Sequence, residues 1–255
     1  MGKELIGELE LNRIYHRDCI EGMRMLPDKS VDMILCDLPY GTTRNKWDSI
    51  IPLDELWDQY ERIIKDNGAI VLTAQTPFDK ILGASNLKLL KYEWIWKKNK
   101  ATGHLNAKKM PMKNHENILV FYKKLPTYNP KMVKGRPYKQ KSGRQSSNYN
   151  SQMQVVTEND GVRYPLTVQS FNGERGFHPT QKPVELFEYL IETYTNEGEV
   201  VLDNCIGSGT TAVAANQLNR NFIGFETESE YIKIANQRLE ANKRGSSLKE
   251  ATYDE

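Results

Sequence analysis

Residues 31–41, Val-Asp-Met-Ile-Leu-Cys-Asp-Leu-Pro-Tyr-Gly, constrain the fold more than any other stretch. A short apolar run without helical spacing stops at a carboxylate, a proline, an aromatic ring and a glycine. Such a run reads as a buried strand that delivers Asp37, Leu38, Pro39 and Tyr40 to its carboxyl end. In open α/β sheets, ligands bind in the crevice outside the carboxyl ends of the strands. Taken alone, these residues equally suit a strand followed by a Pro-Gly turn; the rest of the chain separates the two.

A second strand-to-loop junction lies near the other end. Val200-Val201-Leu202-Asp203 reads as a strand, Asn204-Cys205-Ile206-Gly207-Ser208-Gly209 as a turn, and Thr210 onward as a helix. Glycines let a backbone approach a ligand closely, and a helix N-terminus favours polar or negative groups. Glu226 ends the next apolar run, where an acid accepts hydrogen bonds from ribose hydroxyls. The pattern marks an adenosine-type cofactor and fits NAD, FAD or S-adenosylmethionine alike. No Walker lysine follows the glycines, which disfavours a P-loop.

Between these junctions the charge is lopsided. The net charge is only +2, yet from Trp94 to Thr157 fourteen Lys or Arg face a single acid, Glu116. Tyr122, Tyr128, Tyr138 and Tyr149 are interleaved with them, a combination that favours a polyanion, nucleic acid first, over a merely solvated face. Cys19, Cys36 and Cys205 have no C-x-x-C spacing, and His16, His104, His115 and His178 no metal-ligand spacing. With no apolar leader and no run near the roughly 18 apolar residues of a membrane span, a soluble cytoplasmic protein is expected.

Taken in order, seven strands are expected: residues 11–15, 31–37, 69–73, 92–96, 118–122, 200–203 and 221–225. Helices are expected between them, the clearest with apolar positions at Leu53, Leu56, Tyr60, Ile63 and Ile64 and at Val184, Leu186, Phe187, Leu190, Ile191 and Tyr194. This alternation implies an α/β fold with a doubly wound, mostly parallel, Rossmann-like sheet. Residues 125–177, rich in Pro, Ser, Asn, Gly and Lys, read as an irregular basic insertion dividing a domain of residues 1–124 and 178–255.

In this order the motifs resemble the DNA amino-methyltransferases of permuted (β-class) motif order, and the run from Asp37 to Asp48 is similar to the solitary and phage-type adenine methyltransferases. The resemblance covers nearly the whole chain. It implies S-adenosylmethionine as cofactor, double-stranded DNA as substrate, and methyl transfer to the N6 amine of a flipped-out adenine. Asp37, Leu38, Pro39 and Tyr40 match the family's catalytic tetrapeptide, with Leu38 in place of its first proline. Asp18 and Cys19 match the adenine-contacting segment. Thr180 and Lys182, in His178-Pro179-Thr180-Gln181-Lys182-Pro183, match the segment near the methionine end. Asp203, Asn204, Cys205, Gly207, Ser208, Gly209 and Thr210 match the glycine loop, with Asn204-Cys205 for the more usual Pro-Phe, and Glu226 the ribose acid; Asp37 also borders the cofactor. Residues 125–177 correspond to the target-recognition region, so Lys131, Lys134, Arg136, Lys139, Lys141 and Arg144 are expected DNA contacts, together with Arg44, Lys97 and Lys98. N4 methylation of cytosine suits the same tetrapeptide. A Rossmann oxidoreductase would use only Gly207 to Glu226, and a non-catalytic DNA-binding protein only the basic insertion. A homodimer and a cognate restriction nuclease are compatible with this reading but not required by it.

Overall fold

A computed structural model of the 255-residue chain describes residues 4–41, 50–141, 156–173 and 181–251. The chain divides into two compact units, residues 1–129 with 167–255, and residues 130–166.

The larger unit is built on an eight-stranded sheet. Its strands are β1 (Arg13–His16), β2 (Val31–Asp37), β3 (Ile64–Ala74), β4 (Leu90–Thr102), β5 (Lys113–Phe121), β6 (Val168–Phe171), β7 (Val200–Asp203) and β8 (Asn221–Glu226). Their spatial order is β6-β4-β5-β3-β2-β7-β8-β1. Every pairing is parallel except the two made by β5. The eighth strand, β6, was not among the seven expected. It lies in the stretch read as insertion and pairs with β4 from Val168↔Ile95 to Phe171↔Lys98.

Among the described residues, six α-helices accompany the sheet: α1 (Cys19–Arg24), α2 (Leu53–Ile63), α3 (Phe78–Ser85), α4 (Val184–Tyr194), α5 (Thr210–Gln217) and α6 (Ser229–Ala251). Successive strand residues face opposite sides. In β2, Ile34 and Cys36 pack with α1, α2 and α3 through Met23, Leu56, Tyr60 and Leu82. Met33 and Leu35 pack with α4, α5 and α6 through Leu190, Ile191, Ala214 and Ala235. Both faces are covered, which is why the central strands read as continuous apolar runs. No helix among the described residues is long and apolar enough to cross a membrane.

Two boundaries differ from the sequence expectation, the first for a steric reason. Asn67-Gly68 reads as a helix stop, yet both lie inside β3. A Cβ on Gly68 would sit 2.7 Å from the Asp32 carbonyl oxygen, so the glycine admits the neighbouring strand. The β4–β5 hairpin extends far past the apolar runs at 92–96 and 118–122, on Lys-rich arms that lack strand alternation.

Where irregular chain was expected, the described residues of the smaller unit form two antiparallel strand pairs: Val133–Lys134 with Val162–Arg163, and Tyr138–Lys141 with Val156–Asn159. Among the described residues of this unit no hydrophobic side chain is fully buried, and local polar contacts join its strands. The Arg163 guanidinium lies 4.5 Å from the Tyr138 ring centre, and the Gly161 N–H donates to Asn159 Oδ1 at 2.9 Å.

Candidate active site

Parallel strands end on the same side of a sheet, and the strand order reverses between β2 and β7, the usual place for a ligand crevice. A cavity of about 520 Å³ opens there. Asp37 ends β2, Asp203 ends β7, Glu226 ends β8 and Asp18 follows β1; all four line it. So do Cys19, Leu38, Pro39, Tyr40, Lys182, Asn204, Cys205, Gly207, Ser208 and Thr210. Gly209 acts from behind. It opens α5 at φ +83°, and a Cβ there would meet the Ala235 Cβ at 2.7 Å. Lys98 lines the cavity, whereas Lys97 beside it is exposed. Lys131, Lys134, Arg136, Lys139 and Lys141 belong to the smaller unit, where Lys139 pairs with Glu158. Arg44, Arg144 and Thr180 lie outside the described residues.

In one half of the cavity, carboxylates shape the backbone. Glu226 Oε2 accepts the Gly207 N–H at 2.8 Å, while Oε1 accepts the N–H groups of Thr227 and Glu228 at 2.8 and 2.9 Å. Asp203 Oδ1 accepts the Cys205 N–H at 3.1 Å, and Oδ2 accepts the Thr211 hydroxyl. Burial pushes the Asp203 carboxyl up to about 7, against the pull of those donors. The Tyr60 hydroxyl donates to Asn204 Oδ1 at 2.5 Å, fixing the loop from beneath. Asp18 Oδ1 caps α1 by accepting the N–H groups of Ile20 and Glu21 at 2.9 and 3.1 Å. Burial also pushes the Cys36 thiol up to about 12. The Cys19 thiol is raised by its hydrogen bond to Cys205 and by burial. That bond pulls Cys205 down, but Cys36 and burial outweigh it. Protonated thiols are poor nucleophiles.

The other half centres on Asp37. Its Oδ1 accepts the hydroxyls of Tyr40, at 2.6 Å, and of Thr73. Its Oδ2 pairs with Lys182 Nζ at 2.5 Å. Lys182 Nζ also lies 3.4 Å from Glu116 Oε2, and Glu116 Oε1 accepts from Lys98 Nζ and, at 3.0 Å, from Gln75 Nε2. Two lysines and two carboxylates thus form one neutral chain, with Lys182 and Glu116 almost fully buried. Burial works against the Lys182 charge, but Asp37 and Glu116 prevail and raise its pKa. The Tyr40 hydroxyl is raised by burial and by the charges of Asp37 and Glu116, so it stays protonated. The Tyr40 ring packs against Phe78 at 5.5 Å between centroids.

From the sequence, Glu116 stands just before an apolar run, at the edge of a site, where strand-end packing explains it as well as function does. It sits on β5, the antiparallel strand, whose amino-terminal half lies at the carboxyl end of the sheet, so a search of strand ends passes over it. Its signal was present all the same, as the one acid in a long basic stretch. Thr73 on a strand, Gln75 just past its end and Tyr60 on a helix carried no such signal until the fold brings them to Asp37, Glu116 and Asn204.

The DNA methylase family of N6/N4 type matches residues 31–237. The chain is 29% identical over 251 residues to the type II methyltransferase M.HpaI of Haemophilus parainfluenzae, covering 91% of this chain and 76% of that one. It is 29% identical over 254 residues to the DNA adenine methyltransferase YhdJ of Escherichia coli K12, covering 91% and 83%. Among solved structures, the M1.HpyAVI–SAM complex superposes with a TM-score of 0.61 at 27% identity, covering 89% of this chain and 99% of that one. The cytosine-N4-specific PvuII DNA methyltransferase superposes at 0.67 with 15% identity, covering 89% and 85%, a likeness of fold alone.

Proposed function

The chain belongs to the N6/N4 DNA methylase family, and on that premise we propose that it transfers the methyl group of S-adenosylmethionine to the N6 amine of an adenine flipped out of duplex DNA. The observation that carries this reading is the convergence of Asp37, Tyr40, the 203–208 loop and Glu226 on one cavity. The names of YhdJ and of the M1.HpyAVI–SAM complex support the adenine and the cofactor.

The residues present fit the cofactor. The loop offers close backbone between Asp203 and Ser208, Phe225 and Ile206 give apolar wall, and Asp18 and Glu226 offer acceptors for adenine and ribose groups. When bound, S-adenosylmethionine supplies an electrophilic methyl group on sulfur. An exocyclic amine is a poor nucleophile because its lone pair is delocalised into the ring. Asp37 Oδ2 and the Leu38 carbonyl each accept one amine hydrogen, which turns the lone pair towards the donor, an orientation effect with electrostatic support. Extruding the base costs a few kcal/mol, and stacking on Tyr40, worth roughly 1–3 kcal/mol, offsets much of it. Asp37 is the group that must ease its hold on Lys182 when the amine arrives.

Residues 125–177, with the 130–166 unit at their centre, serve in this proposal as the target-recognition segment. Lysines and arginines there position phosphates, and Arg, Asn or Gln read base edges. The protein acts on DNA in the cytoplasm of a bacterial or phage-infected cell, and neither a second copy nor a nuclease is needed for the chemistry. Incubation with methyl-labelled S-adenosylmethionine and DNA, followed by nucleoside analysis, tests the reading. Label in N6-methyladenine is expected; label in N4-methylcytosine would move the assignment to the cytosine amine, and no label in DNA would overturn it.

A further inference from the structure

The β4–β5 hairpin continues past the cavity as an ordered, wholly exposed arm. Lys98, Asn99, Lys100, Ala101 and Thr102 line the same cavity as Asp37, and residues 101–115 are all exposed. The turn is built rather than loose. Gly103, at φ +87°, leads into a 3-10 turn at His104–Asn106, and the N–H groups of Lys109 and Met110 donate to the Asn106 carbonyl at 2.8 and 3.0 Å. This ordered tip presents Leu105 and Met110 to water at 87% and 56% exposure. Between Lys97 and Lys113 there are six lysines and no acid. Apolar side chains held out on a hydrogen-bonded basic arm call for a partner, and the charge selects a polyanion with an apolar interior. A stacked duplex is such a partner.

Resting on the base-extrusion reading above, we propose that residues 103–112 form a wedge that enters the duplex where the target base leaves it. Leu105 and Met110 occupy the vacated gap, as apolar side chains do in other bent or unstacked DNA. Lys100, Lys108 and Lys109 hold the flanking phosphates. The arm that lines the target half of the cavity therefore also keeps the extruded base from returning. This role is distinct from sequence reading by the 130–166 unit.

The test compares wild-type protein with the double variant Leu105→Ser/Met110→Ser, whose positions are exposed and outside the packed core. The site is first mapped from methylated positions. Single-turnover transfer is then measured on a duplex with an intact target pair and on one with an abasic site opposite the target, where extrusion is already cheap. A third duplex with 2-aminopurine at the target reports extrusion by fluorescence. The variant is expected to lose about tenfold or more in transfer on the intact duplex, a change of roughly 1.4 kcal/mol, and to lose the fluorescence gain. Its transfer on the abasic duplex should return to wild-type level, with S-adenosylmethionine affinity by calorimetry unchanged throughout. Undiminished transfer on the intact duplex, or an equal loss on both, overturns the wedge alone. Wild-type protein that labels no DNA overturns the methyl-transfer reading, and the wedge with it.

Discussion

Replacing Lys182 by Met removes the cation shared by Asp37 and Glu116 while keeping the aliphatic stem. Lys182 Nζ lies 2.5 Å from Asp37 and 3.4 Å from Glu116, and its side chain is only 6% exposed. Breaking one member out of a buried ion pair costs about 3–5 kcal/mol, because the remaining charge is left without compensation. Asp37 can rehydrate through the cavity and Glu116 keeps Lys98, so the low end, about 3 kcal/mol, is expected. For a chain of this size that is roughly 6–12 °C in Tm. The pH dependence is fixed in sign. Asp37 and Glu116 raise the Lys182 pKa above its unfolded value, so its contribution is fully present below about 10.4 and disappears only as pH climbs through the folded value. The difference between wild type and variant, measured by urea titration, should be level from pH 6 to about 9 and should narrow above about 10.4. A variant within about 0.5 kcal/mol of wild type, the usual range for a surface change, would refute the claim that this lysine holds the two acids together. So would a difference that grows with rising pH.

Three further outcomes follow from the same geometry. Glu226→Ala should weaken S-adenosylmethionine binding by more than Glu226→Gln in calorimetry, since glutamine keeps one of the two oxygens that accept the Gly207, Thr227 and Glu228 N–H groups and alanine keeps neither; equal affinity in all three proteins would place the cofactor elsewhere. Gly209→Ala combines left-handed strain of about 1–2 kcal/mol with overpacking of about 1–3 kcal/mol against Ala235, and a Tm within 1 °C of wild type, a shift of roughly half a kcal/mol or less, would contradict it. If Lys131, Lys134, Arg136, Lys139, Lys141 and Arg144 each meet a phosphate, log K against log salt has a slope of about −5; exchanging residues 130–166 for another segment should flatten it and change the methylated site while leaving cofactor affinity intact.

The parts of the site legible in the sequence were those whose signal is local. The acids at the ends of β2, β7 and β8 stand where a continuous apolar run stops, and burial on both faces makes such runs conspicuous. Order along the chain then placed Asp37, the 203–209 loop and Glu226 in one family pattern before any coordinates. What stayed hidden depends on pairing between distant strands. Val168–Phe171 has no apolar run to announce it; its place comes from lying beside β4, where the Trp96 indole N–H donates to the Phe171 carbonyl at 3.0 Å. Glu116 reaches Lys182 only because β5 runs against its neighbours. The double use of Glu226 and Asp18, as loop clamp and helix cap, is equally invisible without the backbone N–H groups that they accept.

If Asp37 orients an amine for methyl transfer, the Asp37→Ala variant under single-turnover conditions must show it. Folded variant, verified by its circular dichroism and loaded with labelled S-adenosylmethionine, is mixed with excess duplex carrying the mapped site, and label in N6-methyladenine is followed with time. Loss of one preorganised electrostatic partner should slow transfer by about 10²–10³-fold, with cofactor affinity reduced far less. Transfer at near wild-type rate by the folded, cofactor-bound variant would contradict the role given to Asp37.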